Sequence, residues 1–142
     1  MNRRELLLTL SATAVTLTGL TQLRAADHGA HDSSHADHCA RACADCLIKC
    51  AKHVHHCTQH LADGHRAYAK CLELCSSCAS SCSGCIQSCF GPAGGTAAEA
   101  CAKMCDTCAA ECEKFGDDNA MNQCAKTCRV CAKACREFAK SL

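Results

Sequence analysis

From residue 39 onward, one small apolar residue recurs along the chain at steps of four and three, and that residue is cysteine. The first group is Cys39, Cys43, Cys46, Cys50 and Cys57, and the second is Cys71, Cys75, Cys78, Cys82, Cys85 and Cys89. The third is Cys101, Cys105, Cys108 and Cys112, and the fourth is Cys124, Cys128, Cys131 and Cys135. Such steps place side chains on one stripe of an α-helix, the seam that faces the interior of a bundle. A half-buried strand would alternate with period two instead. The pattern therefore predicts four helices, each turning a cysteine stripe inward.

Extending each stripe in register adds residues of a different kind. Within and after the first group the inward slots hold His53 and His60; before Cys71 the slot is Tyr68; after Cys112 it is Phe115. Met121 precedes Cys124 and Phe138 follows Cys135 in the same way. Asp63-Gly64 reads as the stop of the first helix, and Gly91-Pro92 with Gly94-Gly95 as the break between the second and third. Thr96-Ala97-Ala98-Glu99 has the form of a capping box opening the third. Gly116-Asp117-Asp118-Asn119 reads as the end of the third helix and the cap of the fourth. Connections this short make chain neighbours antiparallel. The expected fold is all-α: an up-down-up-down four-helix bundle with a cysteine-lined core over residues 38–142.

Alternating directions would gather His53, His60, Tyr68, Phe115 and Met121 at one end, and His38, Phe90 and Phe138 at the other. Imidazole and thioether bind soft metals more weakly than thiolate, so His53, His60 and Met121, with His56 near by, are the candidates for a metal entrance. Met104 reads as core filler, and His55 and His65 as solvent-exposed. Leu47, Val54 and Leu61, with Leu72 and Ile86 on the second helix, read either as the flank of the core or as a face for self-association.

Composition explains why the stripe is cysteine. Nineteen of 142 residues are Cys, with no Trp, one Tyr and three Phe, above the roughly 8–10% that marks a cysteine scaffold. Large apolar side chains are too few to fill one domain, and a protonated thiol packs as a small hydrophobe. The cysteines are the core. A net charge of +1 with His neutral lacks the basic patch expected for nucleic-acid binding. Beyond Asp27 no apolar run is long enough to span a bilayer.

The first 26 residues read as a cleavable signal peptide. Asn2-Arg3-Arg4-Glu5-Leu6-Leu7-Leu8 forms a basic start, followed by an apolar stretch from Thr9 to Leu20 and then Leu23-Arg24-Ala25-Ala26. The paired arginines before Leu-Leu point to the twin-arginine route and a periplasmic destination. Residues 27–37, carrying His28, His31 and His35 before His38, read as a His-rich flexible segment able to collect metal loosely.

The chemistry then narrows by elimination. A disulfide-built structural or interaction domain is the alternative for an exported chain. Against it stand an odd cysteine count, regular helices rather than loops, and neighbours along one helix face that do not readily meet disulfide geometry. Four thiolates around zinc leave a charge of −2 per site, which a dry interior tolerates poorly. Iron–sulfur clusters use loop-rich signatures absent from this chain. No cysteine stands beside a histidine and a carboxylate as a nucleophile would, and the Cys-x-x-Cys pairs fall mid-helix rather than at the helix start a redox relay needs; the chain reads as non-enzymatic. Copper(I) fits: it is soft, selected by thiolate and satisfied by two or three ligands. One monovalent ion per thiolate is neutral, so the nineteen cysteines become a capacity near one ion each.

The signal segment, the repeated Cys-x-x-x-Cys-x-x-Cys-x-x-x-Cys and the four-helix layout resemble the bacterial copper storage proteins from about His38 to Leu142. The resemblance implies a bundle filled with Cu(I) through cysteine, often assembled as a homotetramer. It also implies that members with a twin-arginine signal hold copper for copper-requiring enzymes, such as the membrane methane oxidation enzyme. Cytosolic members lack the signal and carry more cysteines, whereas this chain combines a signal with a high count. A thiol titration of the metal-free, unfolded chain is expected to find nearly nineteen free thiols; a mostly oxidised chain would favour the disulfide domain.

Overall fold

The structure, a computed structural model, describes residues 30–142; the expected signal peptide (1–26) and His28 lie outside the described residues. Four helices follow one another, α1 (Ala30–Ala62), α2 (Tyr68–Ser88), α3 (Gly94–Cys112) and α4 (Asn119–Ser141), with no strand among the described residues. Each helix packs on its chain neighbours, and α1 closes the ring against α4. Sulfur contacts give the directions. Cys39, near the start of α1, lies 3.8 Å and 3.7 Å from Cys85 and Cys89 at the end of α2, and 3.5 Å from Cys135 near the end of α4. Cys71 at the start of α2 lies 3.5 Å from Cys112 at the end of α3. Neighbouring helices are therefore antiparallel, and the bundle is up-down-up-down.

All nineteen cysteines are buried. Alanines beside the seams, among them Ala98, Ala102, Ala109, Ala125 and Ala132, are buried with them. Small residues on both the seam and its flank let the helices approach closely, and Ala supplies the helix propensity that Cys lacks. Leu47, Val54, Leu72 and Ile86 pack partly buried against this core, which makes them its flank. Leu74, buried at 8% exposure, adds to the same shell.

Two chain reversals follow sequence chemistry closely. α1 ends in a Schellman turn: Gly64 N donates to Leu61 O (3.0 Å) and His65 N donates to His60 O (2.9 Å), closing orphan carbonyls of the last turn. Gly64 has φ of 89°, a left-handed conformation that side-chain-bearing residues avoid. At the start of α4, Asp118 is the N-cap, accepting from Ala120 N (2.9 Å) and Met121 N (3.2 Å).

Other expectations are corrected. α3 does not use the Thr96–Glu99 capping box; it begins at Gly94 with Ala93 as N-cap and no side-chain cap bond. Packing explains the earlier start. A Cβ on Gly94 would stand 3.0 Å from Cys89 O and 3.1 Å from Phe138 Cζ, so the chain is pressed against the bundle there and is already helical. Gly94-Gly95 thus belong to the helix. α3 ends at Cys112, ahead of Gly116. α1 is assigned from Ala30. Ala36, buried at 5%, occupies the inward slot three before Cys39, so the seam continues past its first cysteine.

Replacing Gly64 by Ala should cost about 1–2 kcal/mol, read as a lower midpoint in chemical denaturation with unchanged slope. Ala at Gly84, also in an open place but mid-helix, should stabilise or leave the midpoint unchanged.

Candidate metal centre

Each inward stripe delivers its sulfurs to one axial column. Cys46 shows the density: its Sγ lies 3.9 Å from Cys50 of its own helix, 3.9 Å from Cys78 on α2, 4.0 Å from Cys105 on α3 and 3.6 Å from Cys128 on α4. One sulfur thus touches all four helices. Quartets with mutually close sulfurs include Cys39/Cys43/Cys85/Cys135, Cys43/Cys101/Cys131/Cys135, Cys46/Cys50/Cys78/Cys128, Cys46/Cys78/Cys82/Cys105 and Cys50/Cys108/Cys124/Cys128. They share members, so the column is a continuous array rather than separate sites.

The spacing decides what the array can be. A disulfide needs about 2.05 Å between sulfurs, and every cysteine is a free thiol. Sulfurs sharing one ion through bonds of about 2.3 Å stand about 3.8–4.6 Å apart. The observed contacts, 3.5 Å for Cys43–Cys135 to 4.0 Å for Cys50–Cys124, lie within or just inside that range. The thiols are pre-spaced for metal.

The two ends of the column differ. At one end the last inward residues are Ala36, Ala98, Cys89 and Phe138, all buried. His38 and Phe90, expected here, face outward; Phe90 follows Cys89 directly and so falls off the stripe. At this end burial raises the Cys89 thiol above its ordinary range. At the other end stand His53, His56, His60, Tyr68, Phe115, Asp118 and Met121. There the Cys57 thiol is lowered to about 4: hydrogen bonds from Cys71 and Cys75 outweigh burial, and His56 and His53 add attraction.

The expected entrance residues are brought together at this end, with distinct surroundings. Met121 is fully buried beneath the cap of α4. His60 lies at the surface side, stacked on Tyr68 with ring centroids 4.1 Å apart and planes 5° apart. His53 is buried at 5% exposure. Its Nδ1 faces Lys49 O at 2.7 Å and its Nε2 faces Ala120 O at 2.5 Å. Carbonyls only accept, so both ring nitrogens donate and the ring is an imidazolium. The Cys124 sulfur beside it raises its pKa first, burial opposes this, and the carbonyls add to the rise, to about 9. His53 thus sits in the column as a cation.

Asp118 ties the end together beyond its capping role. Its Oδ2 accepts from His56 Nε2 (2.8 Å) and Tyr68 OH (2.9 Å), joining α1, α2 and α4. Burial pushes its carboxyl up, but the His56, Met121 N–H and Tyr68 bonds outweigh that and hold it at about 2. The sequence placed the α4 cap within Gly116-Asp117-Asp118-Asn119; the second role of Asp118 depends on residues 50 and 62 positions away, which no local pattern shows.

A four-helix bundle whose interior is a continuous array of free, closely spaced thiols is a multi-site store for a soft metal. The match to protein families gives that class its name: the copper storage protein family aligns with residues 47–140, and the chain belongs to it. Among solved structures, it is similar to a protein of Nitrosospira multiformis known from its crystal structure. The two share 26% identity and a TM-score of 0.67 over 78% of this chain and 99% of that one. No curated protein matches the chain. The protein is thus a copper storage protein, and its buried cysteines cluster in groups that could hold a metal ion.

The His53 geometry carries a signed pH prediction. Its pKa is raised from 6.5 to about 9, so its contribution to stability is fully present below pH 6.5 and is lost as pH rises through about 9. Comparing the metal-free protein with His53→Gln by thermal melts from pH 6 to 10 should show the gap largest at low pH and closing toward pH 10. A gap that widens with pH would contradict the imidazolium assignment.

Proposed function

We propose that the stored ion is Cu(I), held at about one ion per cysteine thiolate, and that it is loaded through the histidine end. The observation that carries the stoichiometry is the dryness of the sulfur column. Uncompensated thiolates are costly in such an interior, and a monovalent ion for each released proton leaves no net charge. Divalent zinc would need two thiolates per ion for neutrality, below its usual four ligands.

The difference between the ends supports the direction of loading. Imidazole, thioether and thiol donors stand together at the histidine end, where His60 is only partly buried. Cys89 at the opposite end is held protonated beneath an apolar seal. An ion arriving at the histidine end would meet His60, then the Met121 thioether, then the sulfurs of Cys57, Cys71 and Cys124, in order of increasing strength for a soft ion. His53 is the fixed cation of this path.

The twin-arginine signal supports export to the periplasm, where the store would serve copper-requiring enzymes or remove excess ion. A homotetramer, as the family resemblance implies, is supported by Ile48 and Val130, exposed at 53% and 61% on the groove between α1 and α4. Among the described residues no helix is long and apolar enough to cross a membrane. The storage role, with binding at every seam, implies no catalysis by the sulfur column.

Anaerobic titration with Cu(I) against a competing chelator tests the reading. Saturation should fall near nineteen ions per chain, with release of a comparable number of protons. Saturation at one or two ions would contradict storage.

A further inference from the structure

We propose that His56, His60 and His65 form a surface site for one divalent ion of borderline hardness, such as Cu(II), chemically separate from the sulfur column. The proposal rests on the reading of this end as the open one, and adds a second class of ligand to it.

His56 and His60 are four residues apart on α1 and share a helix face, the arrangement with which paired histidines bind a divalent ion in helical metal sites. Their ring centroids are 4.6 Å apart. His65 follows the helix, and the Schellman turn that bonds His65 N to His60 O folds it back until the two rings stand 5.5 Å apart. Two imidazoles on one ion, with metal–nitrogen bonds of about 2.0–2.1 Å, have centroids about 4.5–6 Å apart. Both spacings fall in that range.

The surroundings have the form of ligand support. Asp118 accepts from His56 Nε2 at 2.8 Å, which turns Nδ1 into the ring nitrogen available to an ion that displaces its proton. A carboxylate behind a histidine in this way orients the ring and raises its basicity toward metal. Tyr68 holds His60 by stacking and is itself bonded to Asp118 at 2.9 Å. His56 and His60 are partly buried and His65 exposed, so an ion reaches them without opening the bundle. Imidazole suits divalent copper and zinc, and among divalent ions Cu(II) binds nitrogen sites most strongly.

The test uses the chain with His28, His31, His35 and His38 replaced by Ala, because that stretch would itself gather Cu(II). The protein is loaded with Cu(I) anaerobically and its copper content measured, which judges the storage reading by itself. One equivalent of Cu(II) is then added, and electron paramagnetic resonance is recorded at whatever loading was reached. The proposal expects one bound Cu(II) with nitrogen superhyperfine splitting. That splitting should disappear in His60→Ala and His65→Ala and persist in His55→Ala, an exposed histidine outside the cluster. Asp118→Asn keeps an N-cap acceptor and should weaken Cu(II) binding by about 10–100-fold. Splitting that is absent in the parent, or unchanged in both the His60 and His65 variants, would overturn the site.

Discussion

The structure depends on one constraint: the groups that bind metal are also the groups that fill the core. Neutral thiols pack as small hydrophobes, and with the flanking alanines they let four helices close around a column of sulfur. The same column would be hostile to bare thiolates, whose charge has no water to stabilise it. Exchanging each proton for a single positive charge, as proposed for Cu(I), leaves such an interior neutral. On the proposed reading, electrostatics as much as ligand type favours a monovalent soft ion in this interior.

That constraint also explains how the ends diverge. A thiol column can be capped by more apolar material, as Phe138, Ala36 and Ala98 do at one end. It can also be capped by polar groups that satisfy one another, as His53, His56, Tyr68 and Asp118 do at the other. Only the second kind of cap offers donors to an arriving ion. Asp118 is the hinge of this arrangement because it caps α4 and holds α1 and α2 with the same carboxylate.

Much of this was legible in the chain. Steps of four and three are a direct record of helix geometry, so every cysteine expected inside is inside, and the inward slots of Tyr68, Met121 and Phe138 followed from extending the count. Phe90 failed because it neighbours a seam residue without sharing its register, and the Thr96–Glu99 box failed because tight packing at Gly94 draws the chain into helix earlier. The rest was tertiary. His53 reads as a potential ligand until two carbonyls from different helices are seen to claim both its nitrogens. His65 reads as an ordinary surface residue until the left-handed Gly64 returns it to His60. Local patterns cannot encode pairings that depend on which helices meet.

X-ray absorption at the copper edge of the fully loaded protein bears most directly on the claim that the core is the binding site. Copper is expected in the Cu(I) state, surrounded by two to three sulfurs and by near copper neighbours, with no nitrogen or oxygen shell. A copper environment dominated by nitrogen or oxygen would place the metal outside the sulfur column and contradict it.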